Sequence, residues 1–242
     1  MPVKIILCLI AGYLFGNLQT AFFVGKLHGI DIRKYGSGNA GTTNAMRTLG
    51  RKSGSLVFIG DLLKVLIPGL ILRLVIFPGE PYVILLCEIL GFGAVIGHCY
   101  PFWMQFHGGK GIAVTAAAMA CSDYRLLIFV LAFIAIVYVT KYVSVGSLFT
   151  VVLFPVFMAI VYRGHEYWLW MVLVALLYTI SGIYTHRANI RRLLNGTENK
   201  IGHHVAVDAA PADPDEAAGN APADPDVTEI AAAVVEEDSE KM

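Results

Sequence analysis

Long, uninterrupted apolar runs dominate the chain up to residue 185, and short polar segments separate them. The run at 126–139 contains fourteen consecutive apolar residues. Strands of a membrane barrel alternate polar and apolar positions, so continuous runs of this length predict helices. The pattern predicts seven transmembrane helices, at about 3–24, 53–77, 81–99, 110–122, 125–141, 146–163 and 167–185. The fourth is short for a full span, which takes about 20 residues.

The composition supports a membrane protein. Hydrophobic residues account for 57% of the 242 positions and charged residues for 15%, whereas charged residues make up about 25% of soluble domains. A soluble globule of this length has too little interior to bury so much apolar surface. The predicted class is therefore an all-α, polytopic membrane protein surrounded by membrane lipid. Soluble enzymes, nucleic-acid-binding proteins and disordered chains are excluded.

The formal net charge of zero combines two oppositely charged regions. Residues 208–242 carry 11 of the 18 acidic side chains and one lysine, and the preceding region is strongly basic. A segment of proline, alanine and acidic residues cannot bury enough apolar surface to fold. We therefore expect a membrane-embedded domain at 1–207 and a disordered acidic tail at 208–242.

The basic residues lie mostly on one side of the predicted bundle. Twelve of them fall on the side that follows the first, third, fifth and seventh spans, and three fall on the other side. The positive-inside rule places the basic side in the cytoplasm, with the N-terminus outside and the C-terminus inside. A signal peptide is the alternative for the first apolar segment, but no convincing small-residue cleavage site follows it.

The first long polar segment, at 35–47, is rich in glycine, hydroxyl and amide side chains and ends in Arg47. Glycine allows backbone N–H groups to converge on an anion. Ser37, Thr42 and Thr43 offer hydroxyl donors, and an arginine binds phosphate bidentately. The segment favours phosphate binding, and a flexible re-entrant loop is the alternative.

A second polar segment ends in Gly108-Gly109-Lys110-Gly111, directly before an apolar run. The free N–H groups at a helix start, the helix dipole and a lysine together suit a phosphate group. The longer glycine spacing of a nucleotide-binding P-loop is absent. A glycine hinge beside a lysine placed by the positive-inside rule is the alternative.

Two later segments contain candidates that also have simpler explanations. Ser144 and Ser147 lie where the sixth span begins, and serines there usually cap helices. His186 and Asn189 follow the seventh span and share one helical face. A basic helix at the membrane interface would have the same sequence pattern.

Charged residues inside the spans are candidates for function, because burying charge in a bilayer is costly. Asp61 and Lys64 are three positions apart and form either a structural ion pair or part of a reactive site. Glu88 has no local partner. The cysteines show no metal-site spacing, so we expect buried thiols and no bound metal; they are Cys8, Cys87, Cys99 and Cys121.

Together, the polar motifs resemble those of the bacterial integral-membrane acyl-phosphate:glycerol-3-phosphate acyltransferases. The similarity covers about residues 1–200 and keeps the order of the motifs and their spacing to the spans. The matching residues are Gly36-Ser37-Gly38-Asn39, Gly41, Thr43-Asn44, Arg47-Thr48-Leu49-Gly50, Gly97-His98, Pro101, Gly108-Gly109-Lys110-Gly111, Asn189-Ile190-Arg191-Arg192-Leu193, Gly196-Thr197-Glu198 and Lys200. Two positions depart from the family: Ala40 replaces its usual proline and Val65 replaces a glycine.

The resemblance implies transfer of a long acyl chain from acyl phosphate to the sn-1 hydroxyl of glycerol 3-phosphate, giving lysophosphatidic acid and phosphate. It implies no cofactor, acyl carrier protein or coenzyme A, and an active site on the cytoplasmic face of the bacterial inner membrane. By the same resemblance, the catalytic residues are Ser37, Arg47, Lys110, His186 and Asn189. The substrate-binding residues are Asn39, Gly41, Thr43, Asn44, Gly108, Gly109, Gly111 and Ser147.

Two questions stay open at the level of sequence. The proton acceptor is either His186 or a phosphate oxygen of the donor, and no side-chain dyad decides between them. A phosphate or lipid transporter is the rival function, although the internal repeats typical of transporters are absent. His203 and Asp208 match a His-x4-Asp motif of other acyltransferases, but they border the predicted tail and have no predicted scaffold.

Overall fold

The computed structural model describes residues 1–201, and every regular element in that part of the chain is a helix. The predicted tail at 208–242 and the pair His203 and Asp208 lie outside the described residues. The α-helices are α1 (Pro2–Gly16), α2 (Thr20–Leu27), α3 (Thr42–Ile71), α4 (Val83–Cys99), α5 (Ile112–Ser122), α6 (Leu127–Thr140), α7 (Val143–Val161), α8 (Trp168–Thr185) and α9 (Arg187–Leu194).

Within residues 1–201, five helical stretches are long and apolar enough to cross a membrane. They are Pro2–Leu27, Thr42–Ile76, Val83–Met104, Val143–Val161 and Trp168–Thr185. Two further apolar helices, Ile112–Ser122 and Tyr124–Thr140, are shorter. The helical class is therefore confirmed, and the count of seven spans stays a prediction.

The outer surface of the bundle is apolar. Leu131, Ile160 and Ile180 point outward and are 63%, 70% and 63% exposed. Exposed apolar surface of this kind suits contact with lipid and not with water.

α4 lies at the centre of the bundle and packs against α1, α5 and α8. Small residues let α1 and α4 approach closely, as is common in membrane helices. A Cβ on Gly12 would overlap the Leu90 carbonyl, and a Cβ on Gly97 would overlap the Tyr13 carbonyl. This contact fixes the end of α4, where His98 lies.

The first predicted span, at about 3–24, matches the apolar stretch Pro2–Leu27, which the structure divides into the two helices α1 and α2. Gln19 lies in the break and donates from Nε2 to the Gly97 carbonyl at 3.3 Å and the His98 carbonyl at 3.0 Å. The Leu18 carbonyl accepts a hydrogen bond from Lys64 Nζ at 2.8 Å. The break thus supplies backbone acceptors inside the bundle.

The second predicted span begins too late, at 53, because α3 already begins at Thr42. Gly50 is non-helical, with φ of 84°, and divides the polar start of α3 from its apolar body. Thr43, Asn44 and Arg47 therefore lie on the first turns of a helix and not in a loop.

The buried ionisable residues inside the bundle differ in whether they have a partner. Asp61 and Lys64 form an ion pair at 2.9 Å. The Glu88 carboxyl is buried and makes no hydrogen bond within residues 1–201. All four cysteines are free and buried, as predicted.

The two ends of the bundle carry different groups. At one end, Lys4 Nζ donates to Tyr82 Oη at 2.6 Å, and Tyr162 Oη donates to Asp123 at 2.7 Å. At the opposite end, the polar segments that contain the motifs come together around a cavity.

Candidate active site

A cavity of about 400 Å³, here called the main cavity, collects residues from the polar segments and from α3, α5, α6, α7 and α9. Every predicted site residue lines it except Gly108 and Gly109. Gly108 lines a second cavity of about 690 Å³, which shares Asn39 and Lys110 with the first. Segments far apart in the sequence therefore meet around one space.

Three helices begin at the wall of the main cavity: α3 at Thr42, α5 at Ile112 and α7 at Val143. The first N–H groups of a helix lack intrahelical partners, and the helix dipole attracts anions there. Gly111 has φ of 77°, a backbone conformation that favours glycine, and it lets the chain turn directly into α5. The wall is therefore suited to a phosphate group.

Three basic side chains also line this cavity, namely those of Arg47, Lys110 and Arg192. The carboxylates that line it are those of Asp61 and Glu198. Asp61 already pairs with a lysine and Glu198 with an arginine. Among residues 1–201, the side chains that line the cavity therefore carry a net positive charge.

A chain of hydrogen bonds holds the Lys110 side chain. Its Nζ donates to Asn189 Oδ1, and Asn189 Nδ2 donates to Glu198 Oε1 at 2.7 Å. Ser144 Oγ donates to the same oxygen at 2.9 Å, and Arg192 Nε donates to Glu198 Oε2 at 2.9 Å. Glu198 therefore orients Asn189 and, through it, Lys110.

The ammonium of Lys110 is destabilised in this position. Burial lowers its pKa to about 8, and the positive charges of Arg192, Arg47 and Arg187 act in the same direction. The negative charge of Glu198 opposes this shift. A bound phosphate would favour the charged form in the same way.

We expect kcat/KM to fall as the pH rises through about 8, because the free enzyme then loses the Lys110 ammonium. Because the pKa of Lys110 is lowered to about 8, the neutral amine predominates above that pH. The fall in kcat should come at higher pH, since bound phosphate stabilises the ammonium. Both pH profiles of purified enzyme test this.

Lys110→Arg provides the control, because arginine stays charged throughout this range. The alkaline fall should be absent from its residual activity. An unchanged alkaline fall in that variant would assign the titration to another group.

His186 lies directly after α8, and its Nδ1 is 2.8 Å from the Gly182 carbonyl. A carbonyl only accepts, so Nδ1 carries the proton and Nε2 carries the lone pair of the neutral ring. Burial lowers the pKa of His186 to about 4, and the positive charge of Lys110 adds to this effect. The neutral ring can therefore accept a hydrogen bond from a substrate hydroxyl at neutral pH, but it is a weak proton acceptor.

Asn44 holds the first glycine loop in place. Its Nδ2 donates to the carbonyls of Ile32 and Tyr35 at 3.1 and 2.9 Å. Its Oδ1 accepts from the N–H and the Oγ of Ser37 at 2.9 and 3.2 Å. Both the oxygen and the nitrogen of the amide are hydrogen-bonded within the protein. The role that the structure shows for Asn44 is therefore to hold the loop.

Two other hydroxyl groups in the wall differ in whether they already have a hydrogen-bond partner. Ser147 Oγ donates to the Val143 carbonyl in its own helix at 2.9 Å. Thr42 Oγ1 is buried and makes no hydrogen bond within residues 1–201. Thr42 thus presents a donor and acceptor that a ligand can use.

Two parts of this site are not evident from the sequence. Glu198 belongs to a family motif but has no predicted role, although it is the one acidic residue between 186 and 200. The far wall of the cavity is apolar and comes from α6, through Val130, Phe133, Ile134 and Val137. α6 is apolar on all sides, so no pattern distinguishes its cavity face from its lipid face.

The chain is similar to known proteins of one family. A model of the family described as glycerol-3-phosphate acyltransferase matches residues 6–196. The chain is 43% identical over 207 residues to a glycerol-3-phosphate acyltransferase of Clostridioides difficile (strain 630), covering 81% of this chain and 95% of the relative. It is 38% identical over 199 residues to that of Bacillus subtilis (strain 168), covering 81% and 97%.

Two crystal structures are also similar. Both are of PlsY (YgiH), an integral membrane glycerol 3-phosphate acyltransferase. The glycerol 3-phosphate form matches with a TM-score of 0.72 and 33% identity over 82% of this chain and 96% of that one. The lysophosphatidic acid form matches with a TM-score of 0.70 and 32% identity over the same shares. The chain therefore belongs to the integral-membrane glycerol-3-phosphate acyltransferase family.

Proposed function

We propose that this enzyme transfers an acyl group from acyl phosphate to the sn-1 hydroxyl of glycerol 3-phosphate. The hydroxyl oxygen bonds to the acyl carbon, and the bond between that carbon and the phosphate oxygen breaks. The hydroxyl proton leaves with the phosphate. The products are lysophosphatidic acid and inorganic phosphate, and no coenzyme A, acyl carrier protein or cofactor takes part.

The shape of the main cavity is the observation that carries this proposal. Its polar end combines three helix starts with Arg47 and Lys110, and its other end is the apolar wall of α6. Acyl phosphate has the same two-part chemistry, an anionic head on an apolar chain. The donor is already activated, so the protein has to bind, orient and stabilise charge.

The residues divide between the two substrates. We assign glycerol 3-phosphate to the side chains of Ser37, Arg47, Lys110, His186 and Asn189, which line the main cavity. We assign the donor phosphate and the developing oxyanion to backbone N–H groups of Asn39, Thr43, Lys110 and Gly111. The N–H groups of Gly41, Gly108 and Gly109 instead donate to the carbonyls of Asn39, Cys99 and His98, at 3.0 Å each, so these glycines shape the loops around the ligand. Asn44 and Ser147 support the wall through the hydrogen bonds described above.

The pKa of His186 favours the donor phosphate as the proton acceptor. A general base works best with a pKa near the operating pH, whereas burial holds the pKa of His186 at about 4. Its unprotonated Nε2 instead accepts a hydrogen bond from the glycerol hydroxyl and directs that oxygen at the acyl carbon. The proton then passes to an oxygen of the departing phosphate.

A liposome assay with labelled glycerol 3-phosphate tests the function. Full-length protein should form labelled lysophosphatidic acid and an equal amount of phosphate from palmitoyl phosphate, with the acyl group at the sn-1 position. Palmitoyl coenzyme A or acyl carrier protein should give no product. Acylation from either of these without acyl phosphate would contradict the proposed donor. Unmodified label inside the liposomes would instead revive the transporter alternative.

We also propose that the end of the bundle with the main cavity faces the cytoplasm of a bacterial cell, across the inner membrane. A cysteine at exposed Glu166, at the opposite end, should react with an impermeant thiol reagent in intact cells. A cysteine at exposed Lys34 should not react. The four native cysteines are buried, so background labelling should be low. Labelling at Lys34 alone would reverse the orientation.

The region after residue 204 should be dispensable. A chain that ends at His204 keeps Glu198 and the hydrogen bond from the Ile201 N–H to the Lys141 carbonyl at 2.8 Å, so we expect wild-type kcat/KM. A chain that ends at Thr197 loses both and should be inactive. Acyltransferase assays of the two purified truncations test this. A large loss in the longer one would give the tail, including Asp208, a role.

A further inference from the structure

Asp61, Lys64 and His98 form a buried cluster that the function described above does not use. They are 2%, 6% and 3% exposed, and Asp61 and His98 line the main cavity. Lys64 Nζ lies 2.8 Å from the Leu18 carbonyl, 2.9 Å from Asp61 Oδ1 and 2.8 Å from His98 Nδ1. Thr20 Oγ1 donates to Asp61 Oδ1 at 3.2 Å and completes the cluster.

These contacts determine the tautomer of His98. An ammonium group has three N–H donors and no acceptor. The three neighbours of Lys64 Nζ are therefore three acceptors, and His98 Nδ1 must carry a lone pair. A neutral imidazole with a lone pair on Nδ1 carries its proton on Nε2. The cluster thus makes His98 Nε2 a hydrogen-bond donor.

His98 Nε2 lies where the two glycine loops meet. A Cβ on Gly109 would overlap this nitrogen, and the same Cβ would be 2.8 Å from the Ala40 carbonyl oxygen. Only a glycine at position 109 leaves the ring in place. The hydrogen bond of the His98 ring within residues 1–201 is the one at Nδ1. Within residues 1–201 the N–H at Nε2 therefore has no hydrogen-bond acceptor, and it lies beside the main cavity, where a ligand can accept from it.

We propose that His98 is a further catalytic residue, whose Nε2–H donates a hydrogen bond to an oxygen of the acyl phosphate donor. Asp61 and Lys64 are positioning residues that hold the ring in the donating tautomer. The inference rests on the proposed function and deepens it, because it adds a side-chain donor to the backbone N–H groups of the glycine loops. It also explains why a buried ion pair lies so close to the reaction site.

A pair of variants at His98 separates the donor from the structural contact. In His98→Asn, the amide oxygen can take the place of Nδ1 and accept from Lys64, while the donor at Nε2 is lost. In His98→Gln, the amide nitrogen can take the place of Nε2 and donate. We expect His98→Asn to keep its Tm and to lose about tenfold to a hundredfold in kcat, as for loss of a hydrogen bond to a charged group. The KM for glycerol 3-phosphate should change little, and His98→Gln should recover part of the kcat.

The positioning residues are tested together, because removing Lys64 alone would leave Asp61 as an unpaired buried charge. The double variant Asp61→Asn with Lys64→Met removes the ion pair as a unit. We expect a lower kcat with an unchanged KM for glycerol 3-phosphate. In ¹⁵N-histidine spectra, the His98 signals should shift from protonated Nε2 to a mixture of tautomers. If the double variant kept both the native spectra and the native kcat, Asp61 and Lys64 would not be positioning residues.

The wild-type protein supplies the measurement that does not depend on any variant folding. The ¹⁵N signal of His98 Nε2, identified by its loss in His98→Asn or by labelling this histidine alone, should show a protonated nitrogen. That signal should shift when a non-hydrolysable acyl phosphonate binds. A protonated Nδ1, no shift with the phosphonate, or a His98→Asn enzyme with more than half of wild-type kcat would each overturn the inference. The proposed function would survive these results, since the liposome assay on wild-type enzyme tests it separately.

Discussion

Lys110→Ala should lower kcat/KM by about ten- to hundredfold, because a charge-assisted hydrogen bond contributes about 1.5–3 kcal/mol. Lys110 lies between two glycines at the start of α5, and its Nζ is directed into the cavity by Asn189. Its ammonium can therefore reach a phosphate that backbone N–H groups already hold. If the ammonium also stabilises charge on the departing phosphate, kcat should fall more than KM rises.

Lys110→Arg should also be a poor enzyme, although it keeps the charge. A guanidinium is planar and longer than an ammonium, and it presents a fork of donors in place of a compact charge. The buried position beside Asn189 offers a single amide oxygen to the side chain. Lys110→Met provides a control of similar length without charge, and it should match the alanine variant.

Steady-state kinetics and melting in detergent measure these effects separately. Tm should change little in all three variants, because the lysine lies in a loop and burial destabilises its ammonium. An alanine variant with more than half of wild-type kcat/KM, a loss below about 0.4 kcal/mol, would make the Gly108 to Gly111 segment a hinge and not a phosphate site.

Much of this site could be predicted from the sequence because polar residues stand out at the ends of apolar spans. Ser37, Arg47, Lys110, His186 and Asn189 all lie in such segments, and all of them line the main cavity. Glycine beside lysine at a helix start suits phosphate binding, and the structure places Gly111 at that start. These predictions were possible because each residue lies in a polar segment next to a predicted span.

Other features depend on packing between distant segments, which no local pattern shows. His98 meets Lys64 only because glycines bring α1 and α4 together and because the first span breaks at Leu18. Asn44 resembles a ligand-binding amide in the sequence, yet it closes the loop around Ser37. The apolar wall of α6 has the same composition as a surface that faces lipid.

Glu198→Ala should produce the second large loss of activity. Glu198 accepts hydrogen bonds from Ser144, Asn189 and Arg192, and it is 9% exposed. A hydrogen bond to a charged group contributes about 1.5–3 kcal/mol. The bond from Arg192 contributes less, because the Arg192 side chain is 30% exposed and solvent screens its charge. Without these bonds Asn189 is no longer oriented, so we expect a kcat/KM at least tenfold lower together with a lower Tm.

Glu198→Gln separates the charge of this residue from its hydrogen bonds. The amide oxygen can still accept from Asn189 and Ser144, so the loss of Tm should be smaller than in the alanine variant. The negative charge of Glu198 raises the pKa of Lys110, which is about 8 in the native enzyme. Neutralising Glu198 should therefore lower that pKa, and the alkaline fall in kcat/KM should move to lower pH.

A charge removed far from the site provides the matched control. Glu80 is exposed in the connection between α3 and α4, so Glu80→Gln should leave kcat/KM, Tm and the pH profile unchanged. The displaced alkaline fall is the diagnostic result, because a variant that was merely less stable would lose activity at every pH by the same factor. If Glu198→Gln keeps the native pH profile and the native kcat, Glu198 neither orients Asn189 nor sets the charge of Lys110. Its contacts would then serve only to fasten the end of the described chain to α7.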